Sequence, residues 1–198
     1  ANILYYNVYD AATDTLLQVS GSKEADADKL FIVNIPMLKG MTYDIVFWAD
    51  HDGYYTYDTA AKTITVDYST VTANEEWRDA FCKFVPAIDP ATASNDDKNI
   101  VLTRPFAQLN AATDDLEAVK NSGVNLSTLK STVSVKTYTT LNIATGEVDG
   151  EYEKCTYVCD YAAISKEKGG LQDHFYNIGY DEMTTTNANG VERHKYMT

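Results

Sequence analysis

The amino-acid sequence predicts a mainly β fold, of the sandwich or barrel kind, and three observations predict it. Its 198 residues include 15 Tyr, 6 Phe and 2 Trp, side chains that suit a pleated, half-buried surface. Short runs of strand-forming residues recur with Asp, Gly, Asn and Pro punctuation between them, the spacing expected of many short strands. A hydrophobic content of 44% leaves enough material to bury the core of a large domain.

The elements follow in order. Strands are expected at 2–9 (NILYYNVY), 14–19, 29–35 (KLFIVNI), 42–50, 53–58 and 62–68. The stretch YDIVFWADHDGYYTYD at 43–58 has three readings: an acidic calcium loop, an aromatic platform for sugars, or a plain hairpin. Tyr43, Ile45, Phe47 and Ala49 alternate with Asp44, Val46, Trp48 and Asp50, and Asp52-Gly53 is a strong turn signal between the two runs. A hairpin therefore accounts for every residue. A first short helix is expected after TANE, where Thr72 and Glu75 have capping-box spacing. Trp77, Ala80, Phe81 and Phe84 then form an apolar stripe that Pro86 ends. Strands resume at 99–110 and 131–150, and Pro105, which cannot donate to a ladder, marks an edge or a bulge. A second amphipathic helix starts after Thr113, with Asp114 and Asp115 at the positive end of its dipole, and closes at Gly123. One sandwich domain is expected at 1–150, with 151–198 the start of a second β unit or a tail.

Charge and motifs narrow the function. The formal charge of −13, from 29 acidic and 16 basic residues, is scattered along the chain, so no basic footprint for nucleic acid or anionic lipid exists. No run reaches the roughly 18 apolar residues of a membrane span, and the opening ANILYYNVYD is a strand pattern, not a secretory leader. The cysteines, Cys82, Cys155 and Cys159, are odd in number, so at least one is free or pairs with another chain.

No chemistry-bearing motif survives inspection. Counted from Asp50, an EF-hand would need a ligand, a glycine and a glutamate where the chain has Tyr54, Tyr55 and Ala61. The histidines are His51, His174 and His194, and none sits in a metalloprotease or other catalytic motif. Neither a nucleophile elbow, a dithiol motif nor a phosphate loop occurs. The sequence therefore predicts no catalytic residue, no metal and no cofactor. The sugar-platform alternative would use Trp48, Tyr54, Tyr55 and Tyr57, with Tyr55 and Tyr57 on one face of their strand and Tyr54 on the other.

Five segments carry a family resemblance: LYYNVYDAATDTLL, MTYDIVFWAD, ITVDYSTVTANEEWRDAF, VLTRPFAQLNAATDDLEAVKNSG and NIATGEVDG. In order and spacing they resemble the fimbrillin-like (FimA/Mfa-like) surface lipoproteins of the Bacteroidetes, the type V pilus subunits, over about residues 2–160. That resemblance implies a transthyretin-like, Greek-key β-sandwich, display on the outer membrane or in a fimbria through a lipid anchor on the precursor, and adhesive assembly. The partners it implies are other copies or related pilus subunits, and host or bacterial surface ligands. In such subunits a strand from the next subunit fills a groove vacated by proteolysis. The groove's expected contacts here are Leu4, Tyr6 and Val8 on the first strand, with Val101, Ala107 and Leu109 around Pro105.

Overall fold

The structure, a computed structural model, describes residues 1–28, 30–51, 53–70, 76–94, 99–106, 108–109, 118, 121–123, 129–161, 176–177, 182–186 and 192–196. The chain divides into two compact units. The first comprises Ala1–Asp67, Trp77–Pro105 and Tyr138–Gly150, and the second Tyr68–Glu76, Phe106–Thr137 and Glu151–Thr198.

The first unit is β-sandwich-like, built from two antiparallel sheets. β1 (Ile3–Asp10) pairs over its whole length with β4 (Tyr43–Asp50), and with the short β2 (Thr15–Leu16) and β3 (Gly21–Glu24) on its other edge. β7 (Phe81–Ile88) closes the far side of β4, giving the order β2-β1-β4-β7. The second sheet runs in the order β10-β9-β6-β5; to it this unit contributes β5 (Tyr55–Asp58), β6 (Thr63–Val66) and the residues 138–142 and 148–150 of the longer strands β9 (Leu129–Asn142) and β10 (Val148–Tyr161).

The register of β1 on β4 sorts side chains by face. Leu4↔Ala49, Tyr6↔Phe47 and Val8↔Ile45 share one face; Tyr5↔Trp48, Asn7↔Val46 and Tyr9↔Asp44 share the other. Every residue of β4 except Asp44 is buried, because both faces of this central strand are covered. Trp48 and Tyr9 meet Tyr55 and Tyr57 of the second sheet, where Ile64 and Val66 are also buried. On the opposite face Leu4, Val8, Tyr43, Ile45, Phe47 and Ala49 form a separate cluster under Phe31, Val33, Ile35 and Met37.

Three expectations from sequence are corrected here. The stretch 43–58 is not a hairpin: β4 and β5 lie in different sheets. β1 and β7 already occupy both edges of β4, so the chain turns through Gly53, at φ +98°, and crosses to the other layer. Among its described residues, the segment read as the first helix holds the 3₁₀ turn Glu76–Arg78 followed by strand β7, and residues 72–75 lie outside the described residues. Its helix-like spacing is spread over a turn and a strand: Trp77 lies in the 3₁₀ turn, whereas Phe81 and Phe84, opposite Ala49 and Val46, fall on opposite faces of β7. Farther along β7 there is a bulge, where Val85 faces Ile45 and Ile88 faces Tyr43, so three steps on β7 match two on β4. Pro86, expected as a helix stop, sits in that bulge beside Ala87, which has φ +54° and whose N–H donates to Asp44 Oδ1 at 2.8 Å. Finally, of the strand expected at 29–35 the described residues 30–35 alternate in exposure as a strand would but join no ladder. The run 99–110 is likewise reduced to the bridge Cys82↔Thr103 and the two residues of β8 (Gln108–Leu109).

Other parts behave as their local chemistry dictates. The run at 131–150 folds back on itself after β9, with Asn142 Oδ1 accepting from the N–H groups of Ala144 and Thr145. Of the second expected helix, Ala118 and Asn121 are helical, Ser122 N–H donates to Ala118 C=O, and Gly123 has φ +88°; the rest lies outside the described residues. In the second unit β8 pairs with β11 (Tyr176–Asn177), β12 (Glu182–Thr186) pairs with β13 (Glu192–Tyr196), and Thr137 Oγ1 donates to the Tyr68 hydroxyl.

Candidate functional site

The aromatic residues of 43–58 are engaged inward. Trp48, 1% exposed, donates its Nε1–H to Asp50 Oδ2 at 2.8 Å and meets the Tyr55 ring edge-on at a centroid distance of 5.1 Å. The Tyr55 hydroxyl donates to the Arg78 carbonyl, and the Arg78 guanidinium lies 4.8 Å from the Tyr54 ring centroid. Tyr57 reaches across the sandwich, its hydroxyl 3.2 Å from that of Tyr9, which donates to the Thr59 carbonyl at 2.7 Å. Burial pushes both phenols above their ordinary pKa. Lys62 closes this end, with Nζ 4.5 Å over the Tyr9 ring and in an ion pair with Asp14. Of the four expected platform rings, Trp48, Tyr55 and Tyr57 therefore tie the two sheets together while Tyr54 lies against Arg78, and Trp48 offers no face to a sugar.

The acidic residues of the same stretch are also committed. Asp50 serves Trp48, and Asp58 Oδ1 accepts from the N–H groups of Ala60 and Ala61. Asp52 lies outside the described residues. Among those described, no cluster of three or more His, Cys, Asp or Glu side chains could hold a metal. Cys82 is largely buried, and that burial, opposed by Lys83, pushes its thiol up to about 11. It therefore stays protonated and weakly nucleophilic at neutral pH.

The opposite face of the first sheet carries an open apolar cleft of about 1520 Å³. Leu4, Ile45, Phe47, Ala49 and Phe81 form its floor. One wall is the extended segment 30–37 and the other is 99–102, while His51 and Trp77 lie together on its lining. Their rings meet edge-on at 4.8 Å. Both walls alternate: Phe31, Val33, Ile35, Ile100 and Leu102 pack inward, whereas Leu30, Ile32 and Val101 are 60%, 69% and 75% exposed. Among the described residues, no backbone–backbone hydrogen bond involves residues 31–37 or 100–102. The cleft thus presents strand-like walls whose donors and acceptors have no ladder, over a floor of side chains that would otherwise be core.

The sequence-predicted contacts fall unevenly around it. Leu4 lies in the floor and Val101 on the exposed rim. Val8 and Tyr6 belong to the same core cluster but do not line the cleft; the Tyr6 ring instead packs over Gly21. Leu109 pairs through its backbone with Tyr176, away from this site in sequence, and Ala107 lies outside the described residues. Sequence reading missed the wall at 30–37 as a site. The signal was present in KLFIVNI, whose apolar residues fall on both faces of one strand. It also missed Trp77, 63% exposed, by assigning that residue to a buried helix stripe.

A family model described as "Family of unknown function (DUF6562)" matches residues 5–189. No curated protein and no solved structure matches the chain.

Proposed function

We propose that this chain, which belongs to the DUF6562 family, is a structural and adhesive surface protein of the fimbrial-subunit kind. On this reading it is built on a transthyretin-like, Greek-key sandwich and assembles by strand donation. Its partners are other copies or related subunits, and its place is the outer-membrane surface or a fimbria. The observation that carries the reading is the cleft: an apolar floor between two walls whose residues 31–37 and 100–102 join no ladder. An entering strand satisfies both requirements at once, since its N–H and C=O groups complete ladders with the walls while alternate side chains cover the floor. At about 1520 Å³ the cleft exceeds the roughly 300–1,000 Å³ of common small-ligand pockets, which favours a peptide-sized occupant. The excursion of the chain from β4 through the β5–β6 pair and back to β7 supports the Greek-key assignment.

Peptides of about eight residues, one strand's length, with apolar and polar residues alternating, test this reading in a thermal-unfolding titration. Binding only to the folded chain raises its stability by about 2.7 kcal/mol at 100 times the dissociation constant. Ile32→Glu and Val101→Glu, both at exposed positions, abolish that rise without lowering the melting temperature of the free chain. A melting temperature unmoved by every peptide in the panel argues against an open strand site.

A further inference from the structure

The wall at 30–38 is the longer of the two described segments that cover the first sheet without joining a ladder. In burial pattern it is strand-like: Phe31, Val33, Ile35 and Met37 pack on the core cluster, and Leu30, Ile32 and Leu38 are exposed. A strand in a sheet is held laterally by directional hydrogen bonds, whereas residues 31–37 belong to no ladder and are held by apolar packing alone. Among the described residues, directional bonds to this segment occur at its two ends. Asp26 Oδ1 accepts from Leu30 N–H at 2.8 Å and from Asp28 N–H at 2.9 Å, and Asp26 N–H donates to the Leu30 carbonyl at 3.0 Å. At the other end Leu38 N–H donates to the buried Tyr43 hydroxyl at 2.8 Å. Beyond it Gly40 adopts φ +90° with no atom within 4 Å of where a Cβ would stand, so the bend there is unobstructed.

We propose that 30–38 is a strap hinged at Asp26 and at Tyr43–Gly40, which shifts across the sheet to close on a strand entering the cleft and forms a ladder with it. The strap rests on the strand-accepting reading and adds to it the moving part. Apolar packing is non-directional, so a lateral shift exchanges one set of contacts for a similar set and breaks no hydrogen bond between the hinges. The incoming backbone then supplies the differential interaction that a shift in position requires.

Hydrogen exchange on the full chain, read by mass spectrometry with and without the alternating peptides, tests the strap. In the free chain the amides of residues 31–37, Pro36 aside, exchange at least about 10³-fold faster than those of Tyr5–Val8 and Val46–Trp48, which open only with the whole domain. Peptide slows the strap amides about tenfold or more and leaves β1 and β4 unchanged. Tyr43→Phe, which removes one hinge hydroxyl, speeds exchange at 30–38 alone; a uniform rise across β1 and β4 would count against the hinge. Strap amides as protected as β4 in the free chain overturn the proposal. A peptide that raises the melting temperature without slowing the strap also overturns it but leaves strand acceptance standing, whereas a peptide-insensitive melting temperature defeats both.

Discussion

The two faces of the first sheet are covered by different physics. One face is tied to the second sheet by Tyr9–Tyr57, Tyr9–Thr59, Trp48–Tyr55 and Lys62–Asp14, contacts that each specify a distance and an orientation. The other is covered by segments that pack apolar side chains but make no ladder, and between them a cleft stays open. The difference teaches where a sandwich is finished and where it is not. Apolar burial alone keeps water from most of a surface, but only paired backbone and directional side-chain bonds determine one arrangement of the covering layer.

Substitution separates the two faces most sharply. Trp48→Ala empties a fully buried site and strands Asp50, and should lower unfolding free energy by about 3–5 kcal/mol in urea titrations. Ile32→Ala on the outward side of the strap should change it by no more than about 0.5 kcal/mol. Comparable losses at the two positions would erase the distinction.

Alkaline pH provides a second probe, confined to the tied face. Tyr9 and Tyr57 both have folded pKa values raised above 10.0, chiefly by burial. A phenol that resists ionisation when folded ionises more readily when unfolded. Its contribution is therefore complete below the unfolded value and is lost as pH climbs from that value through the raised one. The melting temperature should be insensitive to these groups below pH 10 and fall above it. Tyr57→Phe should flatten that fall, and an unchanged slope in the variant would remove Tyr57 from the account.

The smallest effect is expected at the edge of the same clip. Asp14 is 64% exposed while Lys62 is 11% exposed, so solvent screens the pair and Asp14→Ala should cost no more than about 1 kcal/mol. A loss of several kcal/mol, measured by the same denaturation, would show Lys62 to be far more dependent on its partner than its cation–π contact with Tyr9 allows.

Several features were legible in the chain itself because they are local. The β1, β4, β5 and β6 strands lie within one or two residues of their expected positions, since alternation and turn residues act over a few neighbours. The helix expected at Trp77–Phe84 failed because its apolar stripe is shared between a 3₁₀ turn, which holds Trp77, and strand β7, where Phe81 and Phe84 face Ala49 and Val46 on opposite faces. Over so short a run, a strand with apolar residues on both faces has the same spacing as a helix stripe, and only the partner strand separates the two. Of the expected groove contacts, Leu4 and Val101 do line the cleft, yet its longer wall at 30–37 was read as an ordinary ladder strand.

What the amino-acid sequence determined by itself is the inventory: which runs are extended, which side of each is apolar, and where the chain can turn. Tertiary structure alone decided which edges pair. β4 has two edges and both are taken by β1 and β7, so β5 must leave the layer despite a turn signal suited to a hairpin. The same contest left residues 31–37 extended without a partner. Pairing is a competition among distant segments for a limited number of hydrogen-bonding edges, and its outcome is a property of the assembled sheets, not of any one strand.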